Sequence, residues 1–307
     1  MNLAVVGVGI CGSTSRLFDS NVCKKVKQKE GTMSTNSLIT EGFVDCGNEC
    51  SNWDNAKIDS AIAAYTEAIR LDPNDAKSYF NHGIVYERKG LSGYGRRVDL
   101  HNAIADFTEV IQRVPDLMLA YFCRGRVYGL MGNHKMAIES YTEAIRLDPN
   151  DAEKHFLRGK AYWGQHGCHD KAVADFTAGI RLAPNDAEGY SGRGETYRRM
   201  GDFDKAIADF NEAMRLNPDS SVRYLCSRGE AYREKGDFNS AIADSKEVIR
   251  LTPNNGFGYL DLALVYLDCS QVYKNNGDRD AYIADCNEMD RVLRMGEEIE
   301  RARQLDK

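Results

Sequence analysis

Proline is scarce in this sequence: there are six in 307 residues. Long apolar runs are missing too. No stretch of eighteen apolar residues occurs, so no transmembrane helix is expected. There is no surplus of positive charge. The formal net charge is −6, which argues against a non-specific nucleic-acid binder. Nine cysteines over this length do not resemble a disulfide scaffold, and reduced thiols in the cytoplasm are expected. Metal-ligand spacing is also lacking. Cys46 and Cys50 have no second pair to complete four ligands, and His166, Cys168 and His169 crowd one loop, where adjacent ligands rarely close a tetrahedral site. No nucleophile–base arrangement stands out, so neither catalysis nor a cofactor is expected.

The few prolines carry the main signal. Pro73, Pro115, Pro149, Pro184, Pro218 and Pro253 fall at intervals of 42, 34, 35, 34 and 35 residues. Each follows the same helical pattern, seen most clearly at Ala137, Tyr141 and Ala144, which share one helix face at i, i+4 and i+7. The proline then ends the helix, because it lacks a donor and disfavours the helical conformation in the residue before it. Ahead of each such helix lies a second pattern, as in Tyr121-Arg124-Gly125-Tyr128-Gly132 and Tyr190-Arg193-Gly194-Tyr197-Gly201. A period of about 34 residues with two helices per unit reads as a repeat array.

These motifs resemble the tetratricopeptide repeat family over roughly residues 57 to 295. The small residue of the first helix is Gly83, Gly125, Gly159, Gly194, Gly229 and Ala263, and the tyrosine after it is Tyr86, Tyr128, Tyr162, Tyr197, Tyr232 and Tyr266. Departures are few: Ser245 replaces the second-helix aromatic, Gly179 and Val110 replace its small residue, and Tyr282 stands where the last alanine belongs. The resemblance implies an all-α fold, a right-handed α-solenoid of antiparallel helix pairs. A glycine within a helix costs about 1 kcal/mol relative to alanine, so close approach of the paired helix should offset it.

Residues 1–54 read as a leader outside the repeats, 55–295 as the array with a leading half repeat, and 296–307 as a charged tail. Within the leader, Gly7-x-Gly9-x-x-Gly12 matches a dinucleotide fingerprint, but no βαβ unit follows it, so no nucleotide site is expected. Residues 1–15 lack the positive start of a secretory signal and their apolar run is short; export through them is the alternative to a cytoplasmic location. An insertion, Gly90 to Asn102, accounts for the longer first interval. Its three glycines predict a loop. The first helix of the last repeat is one heptad longer than the others.

In the family the first helices line a concave groove. The resemblance places Lys77, Phe80, Asn81, Phe122, Arg126, Phe156, Lys160, Trp163, Arg198 and Arg233 on it, aromatic in the first half and arginine-rich in the second. Phe122, Phe156 and Trp163 are the expected anchors, with packing between helices as the other reading for the two phenylalanines. Arg124, Arg158, Arg193 and Arg228 recur before the glycine, while Asp106, Asp175, Asp209 and Asp244 recur on the second helices. Two opposed series suggest a structural ladder, broken at Ser140, rather than an anion site. One subgroup of the family clamps the C-terminal carboxylate of chaperone peptides. Lys77 and Asn81 match its first pair, but Cys123 and Leu157 stand where the rest is required, so that ligand is not expected. The leading expectation is a non-catalytic adaptor holding a partner protein's peptide or helix in the groove. The alternatives are a co-chaperone-like reader of acidic C-termini and a self-assembling array.

Overall fold

A computed structural model describes residues 55–92 and 97–305. The Gly7 fingerprint, Cys46, Cys50 and the export signal considered for residues 1–15 lie outside these residues. The described chain is all-α, with thirteen helices and no strand. No helix among the described residues is long and apolar enough to cross a membrane. The helices fall into two units, which divide after Met131.

The first unit holds α1 (Asn55–Leu71), α2 (Ala76–Leu91), α3 (Arg97–Arg113) and α4 (Met118–Leu130). The second holds α5 (His134–Leu147), α6 (Ala152–Gly164), α7 (His169–Leu182), α8 (Ala187–Met200), α9 (Phe203–Leu216), α10 (Ser221–Lys235), α11 (Phe238–Leu251), α12 (Gly256–Asn276) and α13 (Arg279–Leu305). Helix pairs α2–α3, α6–α7, α8–α9, α10–α11 and α12–α13 make the most extensive contacts, and successive pairs stack within each unit.

The turn motifs explain the boundaries. After four of the six prolines the residue two positions on caps the next first helix: Asp75 accepts from the Lys77 and Ser78 amides, Asp151 from Glu153, Asp186 from Glu188 and Asn255 from Phe257, whereas Leu117 and Ser220 make no such bond. Such a cap contributes about 1 kcal/mol. At the other end, Gly201 and Gly236 close α8 and α10 at φ of +83° and +86°, a conformation that penalises any Cβ.

Inside the pairs, the missing Cβ of the first-helix glycine admits the second helix. A methyl group on Gly83 would lie 3.0 Å from Phe107 Cε1, one on Gly159 3.3 Å from Phe176, and one on Gly194 3.1 Å from Phe210 Cε1. The rings that fill this space, Phe107, Phe176 and Phe210, are buried.

The Arg–Asp ladder is present. Arg158 donates to both oxygens of Asp175 at 2.7 Å, Arg193 to both of Asp209 at 2.9 Å, and Arg228 to both of Asp244 at 2.9 and 2.6 Å. Each fork also reaches back one repeat. Arg158 donates to Thr142 Oγ1 at 3.2 Å, Arg193 to Thr177 Oγ1 at 3.2 Å and Arg228 to Asn211 Oδ1 at 2.5 Å. One guanidinium therefore ties three helices and fixes the stacking register. In the first unit Arg124 reaches Thr108 Oγ1 at 3.3 Å. His82 takes the arginine's place in α2: its Nε2 lies 3.2 Å from Thr66 Oγ1, and its Nδ1 approaches Asp106 Oδ2 at 3.0 Å without the alignment of a hydrogen bond.

The insertion departs from expectation. Rather than forming a loop across Gly90–Asn102, it mainly lengthens helices: α2 continues to Leu91 and α3 already begins at Arg97. Leu100 is buried, and it occupies the space a Cβ on Gly90 would need, 2.4 Å from its Cδ2. Burial of this leucine outweighs the local turn propensity of the glycines. At the far end α13 runs on through Leu305, so much of the charged tail is helical.

Candidate functional site

The sequence-derived site residues lie on first helices, but packing sorts them. In the first unit Phe80 and Phe122 are 2% and 7% exposed. Phe80 meets Phe107 edge-on at 5.6 Å. Arg126 lies over the Phe122 ring at 5.9 Å and donates to both oxygens of Glu87, at 2.7 and 2.6 Å. Glu87 is itself 1% exposed, so this fork neutralises a buried carboxylate. Lys77 is exposed, whereas Asn81 one turn later is buried with no hydrogen-bond partner for Oδ1.

In the second unit Phe156 is 5% exposed. It stacks on Phe176 at 6.4 Å and fills the volume opened by two glycines: a Cβ on Gly179 would fall 2.3 Å from its ring and one on Gly189 2.6 Å away. Of the two readings for Phe122 and Phe156, burial favours packing between helices over a ligand anchor, and Phe80, placed on the groove by the resemblance, is buried as well, so these rings have little surface to offer a ligand. Trp163 is partly exposed. The guanidinium of Arg199 lies over its ring at 4.8 Å, and the indole Nε1 is buried with no hydrogen-bond partner. Lys160 is exposed, 3.7 Å from Glu188.

The charged part of the second unit centres on Arg198. It pairs with Glu195 at 2.6 Å, with Glu230 at 3.2 Å and with Glu234. Burial opposes its charge, but the three carboxylates outweigh burial and hold it protonated. Burial raises the Glu230 carboxyl above the usual range, with the like charges of Glu195 and Asp261 adding to the shift, although Arg198 opposes it. Arg233 donates to Asp268 at 2.6 Å. Burial, reinforced by the negative charge of Asp261 and Glu230, pushes the Cys226 thiol up to about 12, so it is no nucleophile.

Sequence reasoning missed the last first helix. Phe257, Leu260, Leu264 and Leu267 on α12 are 50%, 50%, 41% and 46% exposed. They occupy the motif positions that carry Arg223, Cys226, Glu230 and Arg233 in α10. Extending the same positions one repeat further would have revealed this apolar lane. Where α12 begins, a cavity of about 430 Å³ opens between α12 and α13, lined by Phe257, Tyr259, Leu260, Leu293, Glu297 and Glu300 among others. Among the described residues no group of three or more His, Cys, Asp or Glu side chains is placed to hold a metal ion.

Comparison with known proteins agrees with this architecture. Tetratricopeptide repeat models match residues 187–220 and 222–255, and a TPR repeat model matches residues 55–90 and 130–166. No curated protein matches the sequence. Among solved structures, the C-terminal part of a TPR repeat-containing protein from Cytophaga hutchinsonii is similar with a TM-score of 0.60 at 16% identity, covering 76% of this chain and 90% of that one. The APC/C hetero-tetramer Cut9–Hcn1 gives 0.53 at 19% identity over 84% of this chain and 48% of that one. YrrB, a TPR protein with an unusual peptide-binding site, gives 0.51 at 20% identity over 62% and 94%. At these identities the likeness is one of fold.

Proposed function

We propose, from the premise that this chain is a tetratricopeptide repeat protein and so a protein–protein interaction scaffold, that it binds a segment of a partner protein on the first-helix face of its second unit and performs no chemistry of its own. One observation carries this reading. Large apolar side chains of α12 stay exposed at the motif positions that other repeats fill with charged or packed residues. Contiguous exposed apolar surface bordered by charge is a common mark of a docking site. Long solenoid faces suit extended or helical segments.

The arrangement gives little support to a reader of acidic C-termini. Such a ligand needs cations with spare hydrogen-bonding capacity, and Arg126, Arg198 and Arg233 already donate to carboxylates of the chain. Selection of a displayed random-peptide library on the intact chain tests the proposal. Peptides enriched on the chain should be lost on a Trp163→Ala/Leu264→Ser/Leu267→Ser variant that keeps its helical circular dichroism. Failure to enrich any sequence, or equal enrichment on both proteins, would refute the docking face.

A further inference from the structure

We infer that α1 is fastened to the first unit by a proton. A cluster of His82, Asp106 and Thr66 holds this helix firmly in acid and loosens its grip as pH rises through the histidine range.

The ladder supplies the contrast. Arg158, Arg193 and Arg228 carry guanidiniums that are never deprotonated in proteins, so their forks fix register at any pH. His82 stands at the same motif position of α2. It reaches 16 residues back to Thr66, as Arg158 reaches 16 back to Thr142. It also faces the ladder carboxylate of its own pair, Asp106. His82 and Asp106 are 7% and 9% exposed, and among the described residues Asp106 has no ion-pair partner other than His82.

Counting hydrogens shows what the cluster requires. The single hydroxyl hydrogen of Thr66 is donated to the Ile62 carbonyl at 2.8 Å. Its Oγ1 can then only accept from His82 Nε2, 3.2 Å away, so Nε2 carries a hydrogen. That leaves Nδ1 lying 3.0 Å from Asp106 Oδ2, and both atoms are buried with no other partner. Two such atoms tolerate each other only with a second proton between them. An imidazolium facing a carboxylate and a neutral ring facing a carboxylic acid contain the same number of protons. Burial raises the Asp106 carboxyl above the usual range, which favours sharing.

When the second proton leaves for solvent, one ring hydrogen must serve two nitrogens. Kept on Nε2, it leaves the Nδ1 lone pair against a carboxylate. Moved to Nδ1, it obliges Thr66 to turn from Ile62 and donate to Nε2 instead. Either way a buried contact that α1 shares is weakened or exchanged. Tyr86 packs edge-on against the ring at 4.5 Å and opposes its rotation.

The surrounding charges do not replace the lost proton. On α1, Asp59 pairs with Lys89 of α2 at 2.8 Å. On α3, Glu109 pairs with Arg113, and its charge adds to the burden on Asp106. Asp99 and Lys89 act on Tyr86 with opposite sign. On α4, Arg124 ends at Thr108. The apolar contacts of Ile58, Ile62 and Val85 persist, so α1 loosens without leaving.

Hydrogen exchange of the full chain, read by mass spectrometry, tests this. Protection factors, which divide out the intrinsic pH dependence of exchange, are compared at about pH 5.5 and about pH 8, either side of the histidine range. Protection of α1 should fall about three- to tenfold relative to α9, the weight of one hydrogen bond. His82→Arg should make the fork permanent and hold α1 protection constant within about twofold. Thr66→Val, at an exposed position, should give low protection at both pH values. Unchanged α1 protection in the natural chain overturns the inference. So does a fall of equal size in Thr66→Val, since another group would then be titrating.

Discussion

Gly194→Ala and Gly229→Ala place the same methyl group at the same motif position of two neighbouring repeats, yet only the second should stabilise the chain. In an unobstructed helix, alanine gains about 1 kcal/mol over glycine. On Gly194 the new carbon would lie 3.1 Å from Phe210 Cε1 and 3.2 Å from both the Ala206 carbonyl oxygen and Asp209 Cβ. None of these can easily yield. Phe210 is buried, Ala206 O is backbone, and Asp209 is held by the Arg193 fork. Overpacking of this kind costs about 1–3 kcal/mol, enough to cancel or exceed the helical gain. On Gly229 the nearest atoms are Asp244 Cβ at 3.5 Å and Ala241 O at 4.0 Å, ordinary contact distances. The room exists because Ser245 stands where the preceding repeats carry phenylalanine or tyrosine. Gly229→Ala should therefore stabilise by roughly 0.5–1 kcal/mol, and the two variants should differ by about 1–3 kcal/mol. Urea unfolding followed by circular dichroism reads the difference. Amide exchange in α8 and α10 localises it, since repeat arrays need not unfold as one unit. Equal losses in both variants would show that helix–helix spacing, not the Phe/Ser exchange, governs these glycines.

Arg193→Ala should cost about 2–4 kcal/mol, because it leaves the buried Asp209 carboxylate without its fork, while Arg193→Met/Asp209→Leu should restore much of the loss; equal denaturation midpoints for the single and double variants would refute this. Asp175 and Asp106 should act oppositely in acid. Burial raises the carboxyl pKa at both sites, but at Asp175 the Arg158 and His155 partners outweigh it and leave a lowered value, whereas at Asp106 burial prevails over His82 and the value is raised. The Asp175 contribution is thus present above its unfolded pKa of about 4 and lost as pH falls through the lower folded value. The Asp106 contribution is full below about 4 and lost as pH rises through the higher folded value. Carboxyl NMR titrations of the two residues check these signs, and shifts in one common direction would refute them. Cys226 and Cys269, both pushed up to about 12 chiefly by burial, should resist alkylation in the native chain at pH 8 and react after unfolding; rapid native labelling found by peptide mapping would contradict their placement.

The repeat period, the helix pairing and the Arg–Asp ladder could all be read from the sequence, because each recurs. A residue type that returns at one motif position several times states its structural role. The errors fall where one position departs from the others. Phe156 reads as a groove residue by position, yet it turns inward because Gly179 and Gly189 are both glycine and leave a hole only a large ring fills. That signal was present, but in residues 23 and 33 positions away whose proximity only the fold reveals. Gly90 read as a loop residue, whereas its lack of a side chain makes room for Leu100 on the next helix. Arg198 and Arg233 looked like free ligand donors because their carboxylate partners lie mostly on neighbouring helices, 32 to 36 residues away.

These departures bear on where specificity can reside. Arg158, Arg193 and Arg228 repeat, each held by two Asp hydrogen bonds and a third contact to the preceding repeat. A ligand that recruited one would have to strip a half-buried fork from a buried carboxylate, leaving a charge whose exposure to low dielectric costs several kcal/mol. The same holds for Arg126, which neutralises Glu87. Repeating charge is therefore committed to register and is a poor source of recognition. What distinguishes one array from another must lie at positions the repeats do not share. In the second unit these include Trp163 beneath Arg199, the carboxylates around Arg198, and the leucines of α12. The last of these can be recruited without dismantling any contact of the fold, which makes α12 the natural place for a partner's apolar side chains to begin.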